Sequence, residues 1–180
     1  LLHFGAVDWK TTVLVNGKIA GEHEGGYDPF SFDITDFLSW QGKQEIKVQV
    51  FDPTDTGGQP IGKQRLNPGG IWYTASSGIW QTVWLEPVPE THIPRLRIEP
   101  DFDKGRVFVR AETSGNMAGL KVTARIRQEG MVIAQASGKT GTPLMLSIHN
   151  PRPWSPEDPY LYDLEVSIEN ASGTAVDKVY

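Results

Sequence analysis

Three close pairs of carboxylates are the first places to look for catalysis: Glu22 and Glu24, Asp33 and Asp36, and Asp52 and Asp55. Two carboxylates can share acid and base work when their side chains reach one cleft. Residues two apart on a strand share a face, so Glu22 and Glu24 could do so. The preference of Glu for water makes a solvated strand face the better reading. Asp33 and Asp36 read as turn caps, because short carboxylates hydrogen-bond their own backbone.

The histidines His3, His23, His92 and His149 stand singly, with no H-x-H or H-E-x-x-H spacing, so a zinc site has no local support. Asp52 and Asp55 with loop carbonyls could supply oxygen ligands to calcium, but the EF-hand pattern is absent. No metal and no cofactor is expected. Cysteine is missing altogether, which removes disulfides, thiolate sites and cysteine nucleophiles.

Aromatic residues are more informative. The stretch from Asp52 to Glu86 opens in Gly, Pro and Asp and closes in Trp72, Tyr73, Trp80 and Trp84. Flat rings interleaved with Asp55, Gln59, Lys63, Gln64, Arg65 and Asn67 suit a carbohydrate, which offers apolar C–H faces and a rim of hydroxyls. Large aromatics also fill buried seams. Sugar contact and packing against another domain weigh equally for Trp72 and Tyr73; for Trp80 and Trp84 packing is favoured.

These residues need a scaffold, and alternation with period two supplies it nearly everywhere. Val13 and Val15 lead into Asn16-Gly17, a two-residue hairpin signal, and Lys18 to Glu24 returns. Phe30, Phe32 and Ile34 follow the Gly25-Gly26-Tyr27-Asp28-Pro29 break, and Asp36-Phe37-Leu38 reads as a short helical turn capped by Thr35 or Asp36. Glu45 to Phe51 is expected to bury one face, through Ile46, Val48 and Val50; Val83 and Leu85 are expected to point inward. Pro87, Pro89 and Pro94 interrupt the pattern and set a domain boundary near residue 90. From Ile93 onward seven strands follow, the count of an immunoglobulin-like sandwich.

The fold class is therefore all-β. The net charge of −5 and the lack of any Lys/Arg cluster argue against a nucleic-acid partner. No apolar run approaches the ~18–20 residues that span a bilayer, so no membrane partner is expected. The opening Leu1-Leu2-His3-Phe4, set inside a strand, suggests an excised piece of a longer protein. The cysteine-free composition leaves the compartment open; a periplasmic or extracellular bacterial setting is favoured over the cytoplasm. Asn170-Ala171-Ser172 is a formal glycosylation sequon of the kind that arises by chance.

Three stretches in this order resemble glycoside hydrolase family 2. VLVNGKIAGEHEGGYDPFSFDIT (13–35) resembles its sugar-binding domain. SGIWQTVWLE (77–86) looks like the family's S-G-I-[WF]-[RQ]-x-V-x-L-E strand, and PWSPEDPYLYDLEV (153–166) is similar to the segment closing its immunoglobulin-like domain. The resemblance implies a jelly-roll β-sandwich over 1–89, lacking its first strands, and an immunoglobulin-like sandwich over 90–180. It further implies that the catalytic (β/α)8 barrel, the expected partner, lies beyond Tyr180, so no residue here is catalytic. In β-galactosidase-like members a loop of the first domain places an aspartate against the sugar. By position in V-Q-V-F-D-P-T-D that residue is Asp55, with Asp52 the alternative.

The leading reading is the non-catalytic N-terminal part of a retaining glycosidase that hydrolyses terminal β-linked sugars. A free carbohydrate-binding module and a purely structural pair of sandwiches, as in an adhesin, are the alternatives.

Overall fold

A computed structural model describes residues 1–180. The chain divides into two compact units, Leu1–Pro87 and Val88–Tyr180.

The first unit is a β-sandwich of jelly-roll type. Its strands are β1 (Leu2–Phe4), β2 (Val7–Asp8), β3 (Lys10–Val15), β4 (Lys18–Glu24), β5 (Phe30–Phe32), β6 (Ile46–Phe51), β7 (Gln64–Arg65), β8 (Tyr73–Thr74), β9 (Gly78–Ile79) and β10 (Val83–Leu85). One sheet runs β10-β1-β5 and another β4-β3-β6, both antiparallel. Leu2 and Phe4 from the first meet Val13 and Val15 from the second, with Val7 and Ile34, in a closed core. Alternation places Thr11, Val13 and Val15 inward on β3. The hairpin to β4 turns through Asn16 at φ 50° and Gly17 at φ 80°, the paired positive values that an Asn-Gly loop supplies.

The same hairpin is bulged. Val13 faces Gly21 and Leu14 faces Ile19, so Ala20 is one residue in excess. Next to the bulge the Phe32 ring packs against Gly21, where a Cβ would lie 2.2 Å from Cε1. The G of G-E-H is thus a steric requirement of an aromatic packed across it.

Three local expectations are corrected. β6 does not bury a single face: Ile46 and Val50 are 42% and 36% exposed, and only Val48 packs partly on the core. Val83 and Leu85 on β10 are likewise exposed rather than inward. Both strands lie at sheet edges, and alternation says which side chains share a face without supplying a layer to cover it. The short helical turn, a 3-10 turn over Thr35–Phe37, is capped by neither Thr35 nor Asp36. Asp33 holds it instead, accepting from the Thr35 N–H at 2.9 Å and the Thr35 hydroxyl at 2.6 Å.

The second unit is immunoglobulin-like. Its seven strands are β11 (His92–Asp101), β12 (Arg106–Ser114), β13 (Lys121–Gln128), β14 (Met131–Gly138), β15 (Leu144–Ser147), β16 (Asp163–Glu169) and β17 (Ala175–Val179). They form sheets β11-β12-β15 and β14-β13-β16-β17. Val109, Ala111, Val122, Ala124, Ile126, Leu144, Leu146, Val166 and Ile168 fill the space between them. Pro94 sits where the β11–β12 register slips, at a position that needs no ladder donor.

On the outer face of β13 and β16 charge replaces apolar contact. Arg125 donates to Glu169 at 2.7 Å and to Glu165 at 3.2 Å, while Thr123 and Ser167 donate to Glu169 at 2.9 Å each. Glu169 is only 4% exposed. Burial alone would raise its pKa, but the hydrogen bonds from Arg125, Ser167 and Thr123 outweigh it and hold the carboxyl below the usual Glu range.

Candidate functional site

The loops of the first unit surround a hollow of about 350 Å³. Asp8 enters from the end of β2, Gly26, Tyr27 and Asp28 from the turn after β4, and Asp52, Thr54, Gln59, Lys63, Gln64 and Tyr73 from the long segment after β6. A neighbouring hollow of about 410 Å³, lined by Ser76, Ser77 and Trp80, shares Asp8, Gly26, Tyr27 and Gln64 with the first. The pair form one furrow with Asp8 in its shared wall.

Each wall is held by its own contacts. Asp52 accepts from the Thr54 N–H at Oδ1 and from the Ser77 hydroxyl at Oδ2, both at 2.7 Å, which fixes the start of the long segment to the start of β9. Gln64 Oε1 accepts from the Ser76 N–H at 2.6 Å. The Gln59 amide donates to the Thr54 carbonyl at 2.9 Å, while its Oε1 is buried with no donor. Trp80 Nε1 donates to the Gly26 carbonyl at 2.7 Å, and its ring meets the edge of Tyr27. A Cβ at Gly26 would lie 2.7 Å from Asp8 Oδ1, so a side chain there would displace that carboxylate.

The electrostatics are lopsided. Asp8, Asp28 and Asp52 face the first hollow with Lys63 the one cation among its lining. Burial first, and then the charge of Asp52, push the Asp8 carboxyl above the usual Asp value.

The four residues singled out in the sequence are placed differently from one another. Asp52 and Tyr73 line the hollow. Asp55 lies outside that lining, with Oδ2 3.8 Å from Arg65 Nε. Trp72 is covered on one side by the Arg65 guanidinium, 4.2 Å from its ring. Trp80 and Trp84 are 53% and 44% exposed and do not enter the core; Trp84 stacks on His3 at 4.7 Å, and His3 in turn reaches Glu86 at 2.9 Å. The Glu22 and Glu24 pair stays on the solvated face of β4, held by Thr12 at 3.0 Å and Lys10 at 2.6 Å.

Sequence reasoning missed Asp8 and Trp9, and it read Tyr27 and Asp28 only as a turn. Asp8 stands at the end of a two-residue strand, where no spacing rule marks it. The Asp8–Trp9 peptide bond is cis. Aromatic faces, amides and a surplus of acceptors make the furrow suited to gripping a hydroxyl-rich ligand.

Comparison with known proteins gives two family matches that tile the chain. Residues 1–89 match the family described as glycosyl hydrolases family 2, sugar binding domain, and residues 91–180 match glycosyl hydrolases family 2. A β-galactosidase of Thermoanaerobacter pseudethanolicus is 28% identical over 93% of the chain, which covers 23% of that protein. A β-galactosidase of Leuconostoc mesenteroides is 34% identical over 93% of the chain and 17% of its own length. Among solved structures, a β-glucuronidase from Ruminococcus gnavus superposes with a TM-score of 0.75 at 24% identity, over 99% of this chain and 32% of that one. The chain thus spans about a fifth of the length of these curated relatives.

Proposed function

The chain belongs to glycosyl hydrolase family 2, and from that membership we propose that it is the non-catalytic N-terminal portion of a retaining β-glycosidase. The observation that carries the proposal is the end-to-end match of both family regions in a chain only about a fifth as long as its curated relatives. The two sandwiches scaffold a (β/α)8 catalytic domain that supplies the acid/base and nucleophile carboxylates, which in retaining enzymes stand about 5–5.5 Å apart.

In this reading the furrow of the first unit completes one wall of the active site. Asp52 and Tyr73, which line it, are the leading contacts for sugar hydroxyls and a sugar face; Asp55 and Trp72, which do not line it and contact Arg65, are the alternates. A wall of this kind raises kcat/KM by positioning, without a proton transfer of its own.

The test is whether the reading frame runs on past Tyr180 for several hundred residues into a barrel with two catalytic glutamates. A frame that stops there removes the proposal. Isothermal titration of residues 1–180 with methyl β-glycosides separates it from a free carbohydrate-binding module. No measurable binding is expected, and millimolar or tighter binding favours the module.

A further inference from the structure

At one end of the second unit the two sheets part around an apolar hollow of about 450 Å³. Ile98 on β11, Val107 on β12 and Leu164 on β16 reach it from the sandwich, and Trp154 and Leu161 line it from the irregular segment before β16. Ile98, Trp154 and Leu161 are 51%, 58% and 77% exposed, so the hollow stands open to solvent. Open apolar surface of this kind marks a place where something else packs.

Its wall is set in advance. The Arg152 N–H donates to the Tyr162 hydroxyl at 2.8 Å, and the Arg152 guanidinium donates through Nε to Asp158 at 2.6 Å while lying 4.3 Å from the centre of the Tyr160 ring. Ser155 and Asp158 exchange backbone bonds at 3.0 and 3.1 Å. A small ligand is oriented by a few polar groups that converge on it. Here Arg152 is already engaged, and Arg106 and Asp163 alternate along their strands with the inward Val107 and Leu164. The hollow therefore suits apolar side chains of a polypeptide better than a small polar molecule.

The register of β17 says which polypeptide reaches it. Val179 faces Val166 across the ladder, and both lie on the inward side. Asp177, on the same side of β17, accepts the Ile93 N–H at 2.7 Å and ties the strand to the start of β11. From that contact β11 leads on to Ile98, and the strand opposite β17 leads back to Leu164, both in the lining of the hollow. Carried past Tyr180 in the same register, β17 places its next inward side chain opposite Leu164.

Resting on the reading that the chain runs on past Tyr180, we infer that the residues directly after Tyr180 prolong β17 and seat apolar side chains in the hollow between Ile98, Leu161 and Leu164. The joint to the catalytic domain is then anchored in the core of the second unit, and the P-W-S-P-E-D-P-Y-L-Y segment serves as the wall that grips it.

The test uses the full-length protein and two readings: hydrogen exchange of the peptide that follows Tyr180, and hydroxyl-radical labelling of Trp154. In the wild type that peptide is expected to exchange at least about a hundredfold more slowly than unstructured chain, and Trp154 to resist labelling. Leu161→Ser and Ile98→Thr each remove apolar contact from the hollow. Leu161 is exposed within the unit itself, and Thr keeps a β-branched residue on β11, so β13 and β16 should retain their own exchange rates. Each variant should speed exchange after Tyr180 by about tenfold. Met131→Ser, at a comparably exposed apolar residue of β14 outside the lining, should leave it unchanged.

Exchange after Tyr180 at the unstructured rate overturns the inference, and if Trp154 is protected all the same, another part of the protein covers the hollow. Slow exchange that neither variant alters overturns it as well, because strand pairing alone then accounts for the protection. So does an equal effect from Met131→Ser, which makes the loosening general. An intact mass that ends the chain at Tyr180 removes the reading on which the inference rests; a longer chain with an open hollow removes the inference alone.

Discussion

The Ser77 hydroxyl donates to Asp52 Oδ2 at 2.7 Å, closing a segment that leaves β6 and returns at β9. The other oxygen of Asp52 takes the Thr54 N–H at the same distance, so one carboxylate gathers both ends of the segment that forms most of the furrow. Ser77→Ala is expected to destabilise the first unit by about 1 kcal/mol, the ordinary worth of such a bond. Urea unfolding measures it. A double-mutant cycle with Asp52→Ala should show coupling, because each substitution removes the same interaction.

Gly21→Ala is expected to be far more damaging than its size suggests. The added methyl would fall 2.2 Å from the Phe32 ring, and neither the bulged strand nor an aromatic half-buried against the core can retreat cheaply. A loss of about 1–3 kcal/mol follows from overpacking of this kind. Thermal unfolding of the variant beside a Gly21→Ala/Phe32→Leu double variant should show recovery in the latter.

Asp8 makes stability of the first unit depend on pH in the unusual direction for a carboxyl. Its folded pKa is raised, so protonation is favoured in the native state. The fold has full benefit below the unfolded Asp value of about 3.9 and loses it as pH rises through the raised folded value. Asp8→Asn should therefore raise Tm at pH 7 and give no advantage at about pH 3. A constant difference at both pH values would contradict the burial and Asp52 repulsion assigned to Asp8.

Glu169 behaves oppositely. Its folded pKa is depressed, so it stabilises the second unit at every pH above the unfolded Glu value of about 4.3, and that contribution disappears as pH falls through the depressed value. Glu169→Gln should flatten the acid limb of the stability profile. Arg125→Met should be harsher, by about 1.5–3 kcal/mol, since it removes the shortest charged hydrogen bonds of Glu165 and Glu169 and leaves them Arg127, Lys178 and Lys121 at 3.5–3.8 Å. Calorimetry on residues 88–180 at pH 7 and pH 3.5 reads both effects.

The second unit was legible in the sequence because its strands come at regular spacing and several alternate clearly. Lys121 to Gln128 alternates without fault, and the fold places Val122, Ala124 and Ile126 inward as alternation requires. β6 and β10 obey the same rule and are nonetheless exposed, since covering a face depends on neighbours that no local pattern names. The furrow shows this limit more sharply. Asp52 and Tyr73 stood out by composition, but Asp8 joins them only because β2 pairs with β9. Gln59 looked like one more polar loop residue until its amide oxygen proved to be enclosed without a donor.

The outer rims of β6 and β10 leave backbone groups and apolar side chains, among them Phe51 and Leu85 at 63% and 61% exposure, without a neighbouring strand. A sheet with an open rim accepts additional chain as readily as it tolerates its loss: each added strand brings its own donors and acceptors and disturbs nothing already paired. In the longer protein proposed above, these rims are where further strands would pair.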